Sequence, residues 1–209
     1  MPASLVRMFY AAGAASPEDE WLDESDLAAL GAQGGALIWP VSLWHAEQEQ
    51  ERFTELATRV QSAGLQLFVE ADPARFPLDH PLVAQMPEAF AVRRFSDDTR
   101  PVDPRKPLPA TGEAIARFRL REYRDRFVDE LADRFAALAS LGVSGCRIAP
   151  GARISPGLLE ALVAKLRTSG TALQFLAGPA GMDRQALLEL GRAGCDALIS
   201  SFHWWDLTA

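Results

Sequence analysis

Arg147 and Glu70 are charged residues set inside otherwise apolar runs, "GCRIAP" at 145–150 and "LQLFVEA" at 65–71. A guanidinium and a carboxylate in such places can pair with each other, hold an anion or take part in acid–base work. Asp72 follows Glu70 closely, so the two carboxylates also read as a catalytic pair, although neighbouring acids on a strand exit more often form a solvated polar cluster. Tryptophans supply a second candidate surface. Trp39 and Trp44, with His45, follow one apolar run, and His203, Trp204, Trp205 and Asp206 follow another, so four of the five tryptophans gather after such runs. Flat indole faces can line a sugar site, or they can fill the top of a core or meet a neighbouring domain. His45, His80 and His203 are too scattered to propose a metal centre, and neither a GxGxxG after the first apolar run nor a GxxxxGK[ST] occurs, so no cofactor is expected.

The elements that must carry these residues repeat a pattern. Helical segments end in small residues and glycine, and a short apolar strand follows: "ALIWP" (36–40), "LQLFVEA" (65–71), "GCRIAP" (145–150), "ALQFLAG" (172–178) and "DALISSF" (196–202), with "LVRMFY" (5–10) ahead of them. Near-continuous apolar strands alternating with helices predict a parallel sheet covered by helices. In "SPGLLEALVAKLRTSG" Leu159, Leu162, Val163 and Leu166 recur at helical spacing, with Ser155 as N-cap, Pro156 in the first turn and Gly170 as the stop. Phe53, Leu56, Ala57 and Val60 mark a second helix, and Phe127, Leu131, Phe135 and Leu138 a third. A fourth starts on Asp183 and buries Ala186, Leu187 and Leu190.

One interval breaks the rhythm. Residues 72–118 hold eight of the fourteen prolines and form an excursion after the third strand, within a single domain spanning 1–209. "HPLVAQMPEAF" predicts one short helix there, and "SDDTRPVDPRKPLPATGE" a mobile surface loop.

Composition excludes several classes. With 209 residues, 48% hydrophobic and 23% charged, the chain can bury a sizeable core. A net charge of −7 argues against a nucleic-acid partner, and no apolar run approaches the ~20 residues that span a bilayer, so no membrane partner is expected. "SLVRMFYAAGAAS" mimics a signal-peptide cleavage site, but Arg7 interrupts its apolar core, and a first buried strand is the better reading. Cys146 and Cys195 fall on strand-like segments and are expected as buried thiols in a reducing cytoplasm.

Four stretches make the chain resemble the α-amylase family, glycoside hydrolase family 13, and most closely its maltosyltransferases that use maltose 1-phosphate. "LFVEADPARFPLDHPLVAQMPEAF" resembles the third strand and the segment after it: Glu70 takes the place of the strand's acid, and Asp79, His80, Pro81, Pro87, Glu88 and Phe90 match an Asp-His-Pro and a Pro-Glu-aromatic-Phe pattern. "GVSGCRIAPGARISPGLLEAL" is similar to the fourth strand, "LQFLAGPAGM" to the fifth, and "ALISSFHWWDL" to the sixth with its aromatic segment. The resemblance implies a partial (β/α)₈ barrel of about six consecutive parallel βα units with a site at the C-terminal strand ends. It also implies an α-glucan or maltosyl ligand. Arg147 matches the family arginine, but Ala149 stands at the nucleophile's place and Gly178 at the general acid's. Retaining glycosidases need two carboxyls ~5–5.5 Å apart, and neither alanine nor glycine can attack or protonate. A non-catalytic domain is therefore expected, with Arg147, Glu70, Trp39, Trp44, His203, Trp204 and Trp205 left to touch a sugar. An active enzyme using substitute carboxylates such as Glu70 or Asp206 is the alternative. Arg147 should face the barrel interior with Glu70 as counter-ion, or else keep an anion site. Six units leave two sheet edges for a further domain or a second copy to cover.

Overall fold

The computed structural model describes residues 8–10, 23–44, 50–92, 112–118, 120–149, 154–177 and 184–198. Strands and helices alternate as the apolar runs predict. β1 (Met8–Tyr10) is followed by α1 (Glu24–Gln33), β2 (Gly35–Pro40), α2 (Gln50–Ser62) and β3 (Leu65–Ala71). After an insertion come α4 (Arg124–Ser140), β7 (Gly145–Ile148), α5 (Pro156–Thr168), β8 (Gln174–Ala177), α6 (Arg184–Arg192) and β9 (Ala197–Leu198). The six main strands pair in the order β1-β2-β3-β7-β8-β9, every pair parallel. Consecutive order with every pair parallel is the pattern of a curling half-barrel.

Each helix has a local reason to be where it is. The Ser155 hydroxyl accepts from Leu158 N–H at 3.3 Å, Pro156 fills the first turn, and Gly170 leaves the helix at φ 78°. Asp23 caps α1 in the same way, accepting from Asp26 N–H at 2.8 Å. The predicted stripes are buried: Phe53, Leu56, Ala57 and Val60 on α2, Phe127, Leu131, Phe135 and Leu138 on α4, and Leu159, Leu162, Val163 and Leu166 on α5. Leu190 of α6 is buried likewise, while the Ala186 and Leu187 side chains lie outside the described residues. These stripes join Leu37, Trp39, Leu67, Val69, Cys146, Ile148, Phe175 and Ala177 in one core between sheet and helices. Alternate strand residues form a smaller cluster of Ala36, Ile38, Phe68 and Leu176, with Met8 against it, on the opposite face of the sheet.

The insertion departs from the expectation of a short helix in an otherwise irregular excursion. The helix is present as α3 (Pro81–Gln85). Around it, β4 (Arg75–Pro77), β5 (Phe90–Val92) and β6 (Glu113–Ala116) form an antiparallel sheet in the order β4-β6-β5. Residues 93–111, most of the expected surface loop, lie outside the described residues. Aromatic rings attach this sheet to the main body. Phe76 of β4 and Phe90 of β5 meet Phe127 of α4 at ring-centroid distances of 5.9 and 5.5 Å, and Phe118 meets it at 5.1 Å, all in edge-to-face arrangements.

Candidate functional site

Parallel pairing sets one row of residues across the C-terminal ends of the strands: Pro40, Glu70, Arg147 and Leu176 stand opposite one another in β2, β3, β7 and β8. The row below it is Ile38, Phe68, Gly145 and Gln174. Gly145 has no side chain, and the Phe68 ring occupies that space: a Cβ on Gly145 would lie 2.3 Å from the ring and 2.6 Å from the Gln174 carbonyl oxygen. Phe68 thus forms an apolar floor on the face that Glu70 and Arg147 share.

On that floor Arg147 Nη1 reaches Glu70 Oε2 at 2.7 Å. The two side chains are 20% and 11% exposed, so the pair is held in a largely dry setting. The backbone clamps both strand ends as well, with Val41 N–H donating to the Glu70 carbonyl and Ala149 N–H to the Ala71 carbonyl, each at 2.9 Å. Ala149 is half-buried two residues beyond Arg147 and contributes a methyl group. Asp72 has a separate task. Its Oδ1 accepts from Ala74 N–H at 3.0 Å and its Oδ2 from Arg75 Nε at 3.1 Å, while Arg75 Nη1 also reaches Glu113 Oε2 at 2.7 Å. Asp72 therefore fixes the turn from β3 into the inserted sheet.

Trp39 and Trp44 are 5% and 9% exposed, respectively. Trp39 faces the helices within the main core. The Trp44 indole N–H donates to the Arg75 carbonyl, its ring lies 4.0 Å from Phe76 and 4.7 Å from His80, and the Arg134 guanidinium sits 5.6 Å from its centre. Both rings are largely buried, and the edge of Trp44 borders a depression. A depression of about 330 Å³ beside Trp44 is lined by Ser42, Arg75, Leu78, Asp79 and Glu113. His45, Gly178, His203, Trp204, Trp205 and Asp206 lie outside the described residues.

Several residues of the Asp-His-Pro and Pro-Glu-aromatic-Phe patterns shape the insertion. His80 caps α3, Pro81 opens it, Pro87 opens the next turn and Phe90 is buried. The Tyr123 hydroxyl donates to Glu88, and this hydrogen bond pushes the phenol up to about 12 while holding the Glu88 carboxyl below its ordinary range. Sequence reasoning missed Glu130 and Arg134, which converge on His80 and Trp44 from α4; their spacing of four residues on one helix face was the available signal.

Both cysteines are free thiols, Cys146 buried and Cys195 half-buried. Burial pushes both thiols up, Cys195 to about 11 with Asp196 adding to the effect, so neither is a ready nucleophile. Among the described residues no three or more His, Cys, Asp or Glu side chains group as metal ligands do, and no helix is long and apolar enough to cross a membrane.

Consecutive parallel strands, helices on one face and an insertion after the third strand make a partial (β/α)₈-type barrel. Solved structures show the same fold: Eubacterium rectale Amy13B aligns with a TM-score of 0.59 over 94% of this chain and 48% of its own, at 11% identity. An α-amylase from Lactobacillus plantarum aligns with a TM-score of 0.55 over 82% of this chain and 46% of its own, at 15% identity. In sequence, the chain is 32% identical over 154 residues to the alpha-1,4-glucan:maltose-1-phosphate maltosyltransferase of Burkholderia pseudomallei (strain K96243). The match takes in 74% of this chain and only 13% of that relative. No protein-family model matches the chain. The resemblance carried by the four sequence stretches is thus supported in fold and in relationship to a maltosyltransferase.

Proposed function

We propose that this chain is a catalytically degenerate α-amylase-type domain, a non-catalytic scaffold or weak glucan-binding part of a larger maltosyltransferase-like protein. The register across β3 and β7 carries the reading. Arg147 stands opposite Glu70 and pairs with it, and Ala149 offers only a methyl group at the position where the resemblance asks for a nucleophilic aspartate. Gly178, at the general acid's position, cannot donate a side-chain proton either. Two-carboxylate glycoside chemistry needs both groups. Purified chain incubated with maltose 1-phosphate, maltooligosaccharides and an activated aryl maltoside should give no turnover above background. Turnover that disappears in Glu70→Gln would establish an active enzyme with a substitute carboxylate instead.

Sugar contact, in this reading, falls to Arg147, Glu70, Trp39, Trp44, His203, Trp204 and Trp205. Affinity is weak, because stacking alone gains only in proportion to the area it covers. Titration of maltoheptaose followed by tryptophan fluorescence should show a shallow saturating change that Trp204→Ala or Trp205→Ala removes. A flat titration would leave the scaffold role alone. A further domain or a second copy covers the edges of the main sheet, and the two free thiols favour a reducing, cytoplasmic setting.

A further inference from the structure

His80 lies where the inserted segment meets the main body, and it is 8% exposed. Its Nδ1 accepts the Leu82 N–H at 3.2 Å, capping the first turn of α3. Its Nε2 faces Glu130 Oε1 of α4 at 3.4 Å. The ring stands edge-on to Trp44 at 4.7 Å and to Phe76 at 5.1 Å. One imidazole therefore touches α3, α4, β4 and the segment after β2. Only the neutral tautomer with the proton on Nε2 satisfies both polar contacts, since Nδ1 must accept while Nε2 donates.

We propose that His80 is a pH-sensitive latch, whose neutral ring fastens α3 and the inserted sheet to α4 and whose protonation releases the first turn of α3. A proton on Nδ1 would point at the Leu82 N–H, setting donor against donor in a buried place. The charged and titratable groups facing the ring are Glu130 and Arg134 from α4 and Asp79 from the preceding turn; β4 and the segment after β2 present the rings of Phe76 and Trp44. Burial and Arg134 oppose the imidazolium, and Glu130 and Asp79 favour it. Burial is the largest of these influences, and the group lies below its ordinary value of 6.5. Between the unfolded and folded values the unfolded chain binds more protons, so the latch is fully closed above 6.5 and loosens as pH falls through the folded value.

The test uses the full chain. ¹⁵N NMR of the imidazole near neutral pH should show Nδ1 unprotonated. Amide exchange, corrected for intrinsic rates, should show protection at Leu82, Val83 and Ala84 falling about tenfold or more between roughly pH 7.5 and pH 5, while amides in the middle of α5 hold theirs. His80→Asn keeps a capping acceptor without a titrating ring and should abolish this pH dependence. A protonated Nδ1 at neutral pH, or α3 protection in the wild-type chain that does not change over that range, would overturn the latch. Because both of these readouts come from the wild-type protein, a His80→Asn chain that fails to fold does not decide the matter.

Discussion

The Glu70–Arg147 pair combines a 2.7 Å contact with low exposure, and that combination decides what its removal should do. Taking away one partner leaves a charge in a poorly solvated place, whereas replacing both removes the charge altogether. Glu70→Gln and Arg147→Met should each destabilise by about 2 kcal/mol, and the double variant by clearly less than their sum, with a coupling of about 1–2 kcal/mol. Urea unfolding of the four proteins measures it, and strict additivity would mean that the pair contributes no mutual stabilisation. Gly145 makes a sharper steric prediction. An added methyl must displace the buried Phe68 ring and meets the Gln174 carbonyl, which belongs to the backbone and cannot swing aside. Gly145→Ala should cost about 2 kcal/mol or more, part of which Phe68→Leu in the same chain should restore.

At the scale of elements, α5 shows how a helix is fixed from both ends. Ser155 caps it, Lys165 pairs with Asp129 of α4, and the Arg124 guanidinium donates to the Gly157 carbonyl. Lys165 and Asp129 are well exposed, so their pair adds little, and the cap and the buried stripe dominate. Ser155→Ala should lower stability by about 1 kcal/mol, a shift of about 2–4 °C in Tm, and Ser155→Asp should retain most of it. The inserted sheet depends on different forces. Its strands are three or four residues long, and besides the His80–Glu130 contact its hold on α4 comes from Phe76, Phe90 and Phe118 around Phe127. Phe76→Ala should therefore cost about 3–5 kcal/mol, and hydrogen exchange should show the loss first in β4 and β6.

For the whole molecule the sheet edges matter most. Among the described residues, β1 pairs only with β2 and β9 only with β8. At the β9 end Leu198 is 40% exposed and Leu188 of α6 is 50% exposed, where the leucine and isoleucine side chains of β2, β3, β7 and β8 are buried. Exposed leucines of this kind favour association with another chain. Sedimentation velocity should show concentration-dependent association, and Leu198→Lys should weaken it by placing a charge on that edge. Association unaffected by this charge would locate the contact elsewhere.

Local chemistry alone determined the helices and the main strands. Ser155-Pro156, the stripe from Leu159 to Leu166 and the Gly170 stop are close in sequence, so the 3.6-residue period and the cap specify α5 without help from the rest of the chain. Glu70 and Arg147 were legible as partners because charge inside an apolar strand demands a counter-ion and neighbouring parallel strands can provide it. Three features were decided only by tertiary structure. "ALIWP" is apolar at every position, so alternation could not tell that Ile38 faces the inner cluster while Trp39 faces the helices. β4 pairs with β6 across an interval rich in proline, and strands that short show no period of their own. His80 reads as part of a short motif, yet its role depends on Glu130, which is fifty residues away in sequence and 3.4 Å away in space. Sequence periodicity reports which residues share a face of one element; which elements then meet, and which charges they bring together, depends on contacts that no local pattern encodes.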